Sequence, residues 1–306
     1  MHGMTSYVTS KPRTTPVHAA SFWSILRWNL YATVRWWHLV ATLLLFGFVG
    51  RHAATRVAEV AQTSRQYLSV NVWDACVLAF GGPGLTDTSP LAMLTWFVPH
   101  LLFFYLIGDM AYGELVQRGC AVVPIVGSRQ RWWWGKVVTL GVLTTGYAML
   151  GVGAVLVSAS TALPWSWVWQ GDVLTILNAS VAPPTVPAAV LLAWVVGLFA
   201  STVSMAALWQ TTLALLFHRS LYGLMAVVVV MLVSWLLGTD SPTLVRWLPS
   251  SQSMLLRHTL FEPSVPEFSV QWSLLYNVML ALVAIGGGRW YIARMDIFGR
   301  PLTERR

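Results

Sequence analysis

Apolar residues in this chain gather into long runs. Six runs approach the ~20 residues a helix needs to cross a bilayer core of about 30 Å. They lie at about 36–50, 91–107, 137–159, 188–217, 221–238 and 272–291. A backbone in lipid must satisfy its own hydrogen bonds, so such runs predict helices. The first is short and bracketed by Arg35 and Arg51, whose side chains can reach out to water if the helix extends a turn at each end. The fourth is long enough to tilt, and only His218-Arg219-Ser220 separates it from the fifth. The first run starts too late, and lacks the small-residue cleavage pattern, to be a removable leader.

Between the runs the pattern changes. In residues 21–35, Ser24, Arg27, Tyr31 and Arg35 recur every three or four positions as one polar stripe, while Phe22, Ile25, Leu26 and Trp36 lie mostly off it. That spacing predicts a helix lying in the membrane interface, with Ser21 as its N-cap. The connection 108–136 closes on Gly127-Ser128-Arg129, Arg131, Trp132-Trp133-Trp134 and Lys136. Tryptophans at headgroup depth and basic groups toward anionic lipid are the expected arrangement there, with Ser128 capping the next helix. Arg27, Trp132, Trp133, Trp134 and Lys136 are therefore the predicted interfacial anchors. The mixed stretch Glu114 to Gly127 is more than an anchor requires; a docking surface for a cytoplasmic partner accounts for it.

Asn71 to Pro83 is apolar yet too short to span, and ends on Gly81, Gly82 and Pro83; it reads as an interfacial or re-entrant segment at the mouth of a pathway. Trp165, Trp167 and Trp169 read as an aromatic belt. Asn178-Ala-Ser180 matches the three-residue glycosylation acceptor pattern and reads as a chance match.

Composition sharpens this picture. Of 306 residues, 56% are apolar and 10% charged, against about 25% charged in a soluble domain. So few charges cannot cover a water-facing surface, which excludes an ordinary cytosolic enzyme and a nucleic-acid-binding domain. The net charge of +8 acquires its meaning from where the basic residues fall. With both termini on one side, that side takes 14 of the 19 Lys and Arg, and the other takes five together with seven of the 11 acids. The positive-inside rule makes the richer side cytoplasmic. The expected fold is an all-α polytopic membrane protein with six transmembrane helices, an N-terminal interfacial helix and both termini cytoplasmic. A flexible tail (1–20), a single membrane domain (21–299) and a short tail (300–306) follow.

Candidate chemistry is sparse. Cys76 and Cys120 have no metal-ligand spacing. There is no phosphate-binding loop, since Gly135-Lys136 precedes Val137 without the upstream glycine, and no metalloprotease or nucleophile-elbow motif. Ion coupling needs ionisable groups inside spans. His38 and His100 read as histidines satisfied by a neighbouring helix, Asp109 sits at the boundary, and Gln210, Thr211 and Thr212 read as contacts between helices. A transport role therefore requires energy from another chain.

The order of these segments resembles the type-2 (G-type) permease subunits of bacterial ATP-binding-cassette exporters. The strings that carry the resemblance are Asn71-Val-Trp-Asp74, Gly81-Gly82-Pro83, Gly108-Asp109 through Glu114-Leu115, Gly127-Ser128-Arg129 with Trp132, Trp133, Gly135 and Lys136, and Tyr276-Asn277 through Arg294-Met295-Asp296-Ile297. The three-tryptophan run departs from that family. The resemblance implies a cytoplasmic coupling helix between spans two and three, over about Tyr112 to Arg131. Glu114, Arg118, Arg129 and Arg131 would contact the ATPase subunit there. It implies a second permease protomer, identical or paralogous, and no cofactor in this chain, ATP and Mg being held by the ATPase subunit. It also implies a bacterial plasma-membrane location. Two other readings stand beside it: an accessory, immunity or sensor membrane protein without transport, and a stand-alone membrane carrier or enzyme in which His100 or Asp109 is chemically essential.

Overall fold

Each long apolar run is a helix in the computed structural model, which describes residues 21–64, 68–85, 89–177 and 185–295. The expected tails and the acceptor triplet at 178–180 lie outside those residues. The chain opens with α1 (Phe22–Thr33), capped as its sequence predicts: Ser21 Oγ accepts from the Ser24 N–H at 3.2 Å. Extended backbone at Val34 and Arg35 then breaks the helix, and α2 (Trp36–Thr63) leaves at 66°. This helix runs well past the predicted end at 50. Its buried positions Phe46, Val49, Gly50, Ala53, Ala54 and Val57 keep a spacing of three and four, so one face stays packed after the run ceases to be uniformly apolar. Arg51, where the run was expected to stop, donates to Thr161 Oγ1 at 2.9 Å.

A short helix, α3 (Val72–Phe80), follows, and then α4 (Pro90–Ile107), α5 (Tyr112–Val126) and α6 (Arg129–Ala159). Gly127 separates α5 from α6 at φ +91°, a left-handed conformation that suits glycine. Ser128 then caps α6 by accepting from the Arg131 N–H at 3.1 Å. Beyond α6, a two-residue antiparallel ladder pairs β1 (Val168–Trp169) with β2 (Val186–Pro187), with the single turn α7 (Leu174–Leu177) between them. The chain finishes with α8 (Ala188–Leu216), α9 (Ser220–Asp240), 3-10 turns between Val245 and Arg257, and α10 (Val270–Arg294).

Five helices have the length and apolarity to span a bilayer: α4, α6, α8, α9 and α10. The bent pair α1–α2 brings the number to six if it counts as one span. The protein is thus a mostly helical, multi-pass membrane protein. Apolar side chains turn outward along α9 and α10, among them Val229, Leu236, Leu275 and Leu282, as a lipid solvent permits. Inside, Phe46, Phe80, Tyr147 and Phe199 from four helices pack ring to ring, with centroids 5.1–6.1 Å apart. Small residues bring helices together elsewhere. A Cβ on Gly223 of α9 would lie 2.8 Å from the Ala214 backbone nitrogen of α8.

Candidate functional site

At the end of the bundle that carries α5, three helices meet at one buried ion pair. Lys136, in the second turn of α6, donates at 2.8 Å to Glu114 Oε2 in the first turn of α5, and at 2.8 Å to Asn29 Oδ1 of α1. The other Glu114 oxygen accepts from Trp132 Nε1 at 2.7 Å, and Asn29 Nδ2 donates to Thr139 Oγ1 at 3.3 Å. The Trp28 and Trp132 rings lie 5.8 and 5.6 Å from the ammonium. Lys136 is 1% exposed and the Glu114 side chain 11%. A charge removed from water is tolerable only when it is paired and further hydrogen-bonded; Lys136 has its carboxylate partner, the Asn29 oxygen and two aromatic rings.

This arrangement corrects part of the anchoring expectation. Trp132, Trp133 and Lys136 are buried and do not face lipid headgroups. Trp133 donates to the Ile285 carbonyl of α10 at 3.1 Å. Helical spacing turns Trp134 alone of the three tryptophans outward, and Arg27 is exposed on α1. Among the residues expected to meet a partner, Glu114 is bound within this chain. Arg129 donates to the Met295 carbonyl at 2.6 Å, Arg131 is half-buried, and Arg118 is exposed. The outward face of α5 includes Val116, Gln117, Arg118, Ala121, Pro124 and Ile125. Its inward face, with Leu115, Val122, Val123 and Val126, packs into a local core with Trp132 and Leu215.

Within the spans the polar groups do structural work. Gln210 donates to the Phe104 carbonyl at 2.9 Å, joining α8 to α4, and Thr212 to the Ala284 carbonyl at 3.1 Å, joining α8 to α10. Asn277 Nδ2 donates to Thr202 Oγ1 at 2.8 Å. His100 is fully buried among Trp96 and Phe199. Its Nδ1 donates to the Trp96 carbonyl of its own helix at 2.8 Å, so a neighbouring helix does not satisfy it, and its Nε2 has no partner.

The opposite end holds polar groups that the sequence pattern did not single out. Nearly every residue of α3 is buried. Asn71 Oδ1 accepts from the Trp73 N–H at 3.0 Å and Asp74 Oδ2 from the Asn71 N–H at 2.9 Å, a capping box legible as Asn71-x-x-Asp74. Asp74 Oδ1 accepts from Trp169 Nε1 at 2.8 Å, so Trp169 is buried, while Trp165 and Trp167 are exposed as a belt requires. Burial raises the Asp74 carboxyl to about 6, against the lowering effect of those hydrogen bonds. Arg257, expected in an outer loop, is also buried. It donates to the Pro83 carbonyl at 3.1 Å and to Ser251 Oγ at 3.3 Å, and burial lowers it to about 10. Beside it, burial lowers His258 to about 4; its Nδ1 donates to the Met254 carbonyl and its Nε2 accepts from Ser273 Oγ at 2.8 Å.

Among the described residues no three His, Cys, Asp or Glu side chains come together to hold a metal ion. No family model, curated protein or solved structure matches the chain.

Proposed function

We propose that this chain is the permease subunit of an ATP-binding-cassette exporter in a bacterial plasma membrane. With a second permease protomer it forms the substrate pathway, and separate ATPase subunits carrying ATP and Mg drive it. One observation carries the reading. Between the second and third long membrane segments, counting α1–α2 as the first, sits a 15-residue helix fastened on one face by a buried ion pair and open on the other. A loosely tethered helix would yield to a moving partner, whereas a fastened one passes the displacement on. Its open face offers Val116 and Ile125 as apolar contacts and Arg118 as a charged one.

Orientation supports the same reading. Among the described residues, nine Lys and Arg lie at the α5 end (Arg27, Arg35, Arg118, Arg129, Arg131, Lys136, Arg219, Arg289 and Arg294) and four at the other. That bias supports a cytoplasmic α5 end, where an ATPase can reach it. The sequence contains no phosphate loop, so hydrolysis falls to a partner.

The test is co-purification after co-expression with candidate ATPase subunits, beginning with any encoded beside its gene. A stable complex is expected. Arg118→Glu combined with Ile125→Glu should weaken it about tenfold or more, because it places repulsion and a desolvation cost at the contact. Trp167→Glu, at the opposite end, should leave it intact. Absence of any ATPase partner, or an undiminished complex in the double variant, overturns the proposal. Solute movement by the purified chain alone in vesicles favours the stand-alone carrier.

A further inference from the structure

The break between α1 and α2 opens a cavity of 440 Å³ against the end of α4 and the start of α5. Its lining is polar and aromatic, with Trp28, Arg35, Trp37, Tyr105, Asp109 and Arg118 the groups that set its character. A second cavity of 240 Å³ lies deeper along α2, α4 and α6, and its walls are almost wholly apolar, with Leu39, Phe103, Val142, Gly146 and Leu150 among them. The two share Thr33, His38 and Leu106 in their walls, so they lie side by side. The Thr42 hydroxyl, a polar group in the deeper wall, is already used by the His38 carbonyl at 2.7 Å.

We infer that these adjoining cavities are together a binding site for an anionic phospholipid from the leaflet at the α5 end. The phosphate would lie between Arg35 and Arg118 and an acyl chain along the α2–α4–α6 groove. A cavity charged at its mouth and greasy at its depth matches an amphiphile and not a soluble ion. Both arginines are exposed, and neither forms an ion pair among the described residues, leaving their guanidiniums free to bind phosphate oxygens in pairs. Of the two acids in the lining, Glu114 is neutralised by Lys136. Asp109 is exposed and supplies an acceptor for headgroup hydroxyls, which favours a glycerol headgroup. Trp28, Trp37 and Tyr105 stand at the mouth, where amphipathic rings match headgroup depth. The inference does not depend on the transport reading; the two share Arg118, and lipid binding is read on the chain alone, with no ATPase present.

Native mass spectrometry of the delipidated full-length chain in detergent tests it. The probes are dioleoylphosphatidylglycerol, dioleoylphosphatidylcholine and inorganic phosphate. Phosphatidylglycerol should bind at about tenfold lower concentration than phosphatidylcholine, the equivalent of about 1.4 kcal/mol, and Arg35→Gln with Arg118→Gln should erase that preference. Gly146→Phe should weaken both lipids, because Gly146 lines the groove and a Cβ there meets open space, so the ring can occupy it. Gly141→Phe, on the same helix where a Cβ also meets open space but outside the groove, should bind as the unaltered chain does. Equal binding of the two lipids, or a preference that survives the double arginine substitution, overturns the headgroup assignment. Unchanged binding in Gly146→Phe overturns the chain assignment. Displacement of phosphatidylglycerol by millimolar inorganic phosphate would make this a free-phosphate site instead.

Discussion

Asp74 and His258 lie at the same end of the bundle and respond to acid in opposite senses. Burial raises the Asp74 carboxyl from 3.8 to about 6, so the folded chain holds that proton more tightly than the unfolded one. Its contribution to stability therefore rises as pH falls from about 6 to about 4. Burial lowers His258 from 6.5 to about 4, so the unfolded chain takes up the proton first. That contribution is present above pH 6.5 and is lost on the way down to about 4. In the unaltered protein the two trends offset. Asp74→Asn should expose the loss on acidification and His258→Gln the gain, read as melting temperatures in detergent between pH 4.5 and 7; a flat profile in both variants would refute the assignment. Of these two residues, only Asp74 leaves a local signal in the sequence, the cap spacing Asn71-x-x-Asp74, which the apolar reading of 71–83 passed over. Its second partner, Trp169, is 95 positions away. Arg257 and His258 sit in irregular backbone, where no periodicity distinguishes a buried side chain from a solvated one.

At the scale of elements, the joint of α1, α5 and α6 is the feature most exposed to single substitutions. Glu114→Ala or Lys136→Ala strands a charge in a buried site, and each should cost about 3–5 kcal/mol in detergent-titrated unfolding. Replacing both together, Glu114→Leu with Lys136→Met, should cost far less than the two single changes added; additive losses would show that the pair is not coupled. The helices themselves were largely readable. The predicted third to sixth runs fall within or near α6, α8, α9 and α10, because a long apolar run has few other ways to satisfy its backbone. The error at α2 has a definite cause. Uniform apolarity ends at Arg51, but the packed face at Ala53, Ala54 and Val57 continues, and only the periodic signal records it. Lys136 misled for a different reason. Beside three tryptophans it looks like an anchor, and the carboxylate that buries it lies 22 residues upstream on another helix.

For the molecule as a whole, the proposed orientation places α5 in the cytoplasm and Trp167 outside. In a background with Cys76→Ala and Cys120→Ala, a membrane-impermeant maleimide on intact cells should label Trp167→Cys and leave Arg118→Cys unlabelled until the cells are opened. The reverse pattern would invert the topology. Whichever way it faces, α3 has a bearing on any traffic across the membrane. Seated beneath the β ladder and the 3-10 turns, with Val72, Ala75, Cys76 and Val77 sealed completely, it stoppers the bundle like a cork above the ring-packed interior. On the transport reading proposed above, the described residues then leave a solute the outer flank of the bundle, with the facing wall furnished by a second copy.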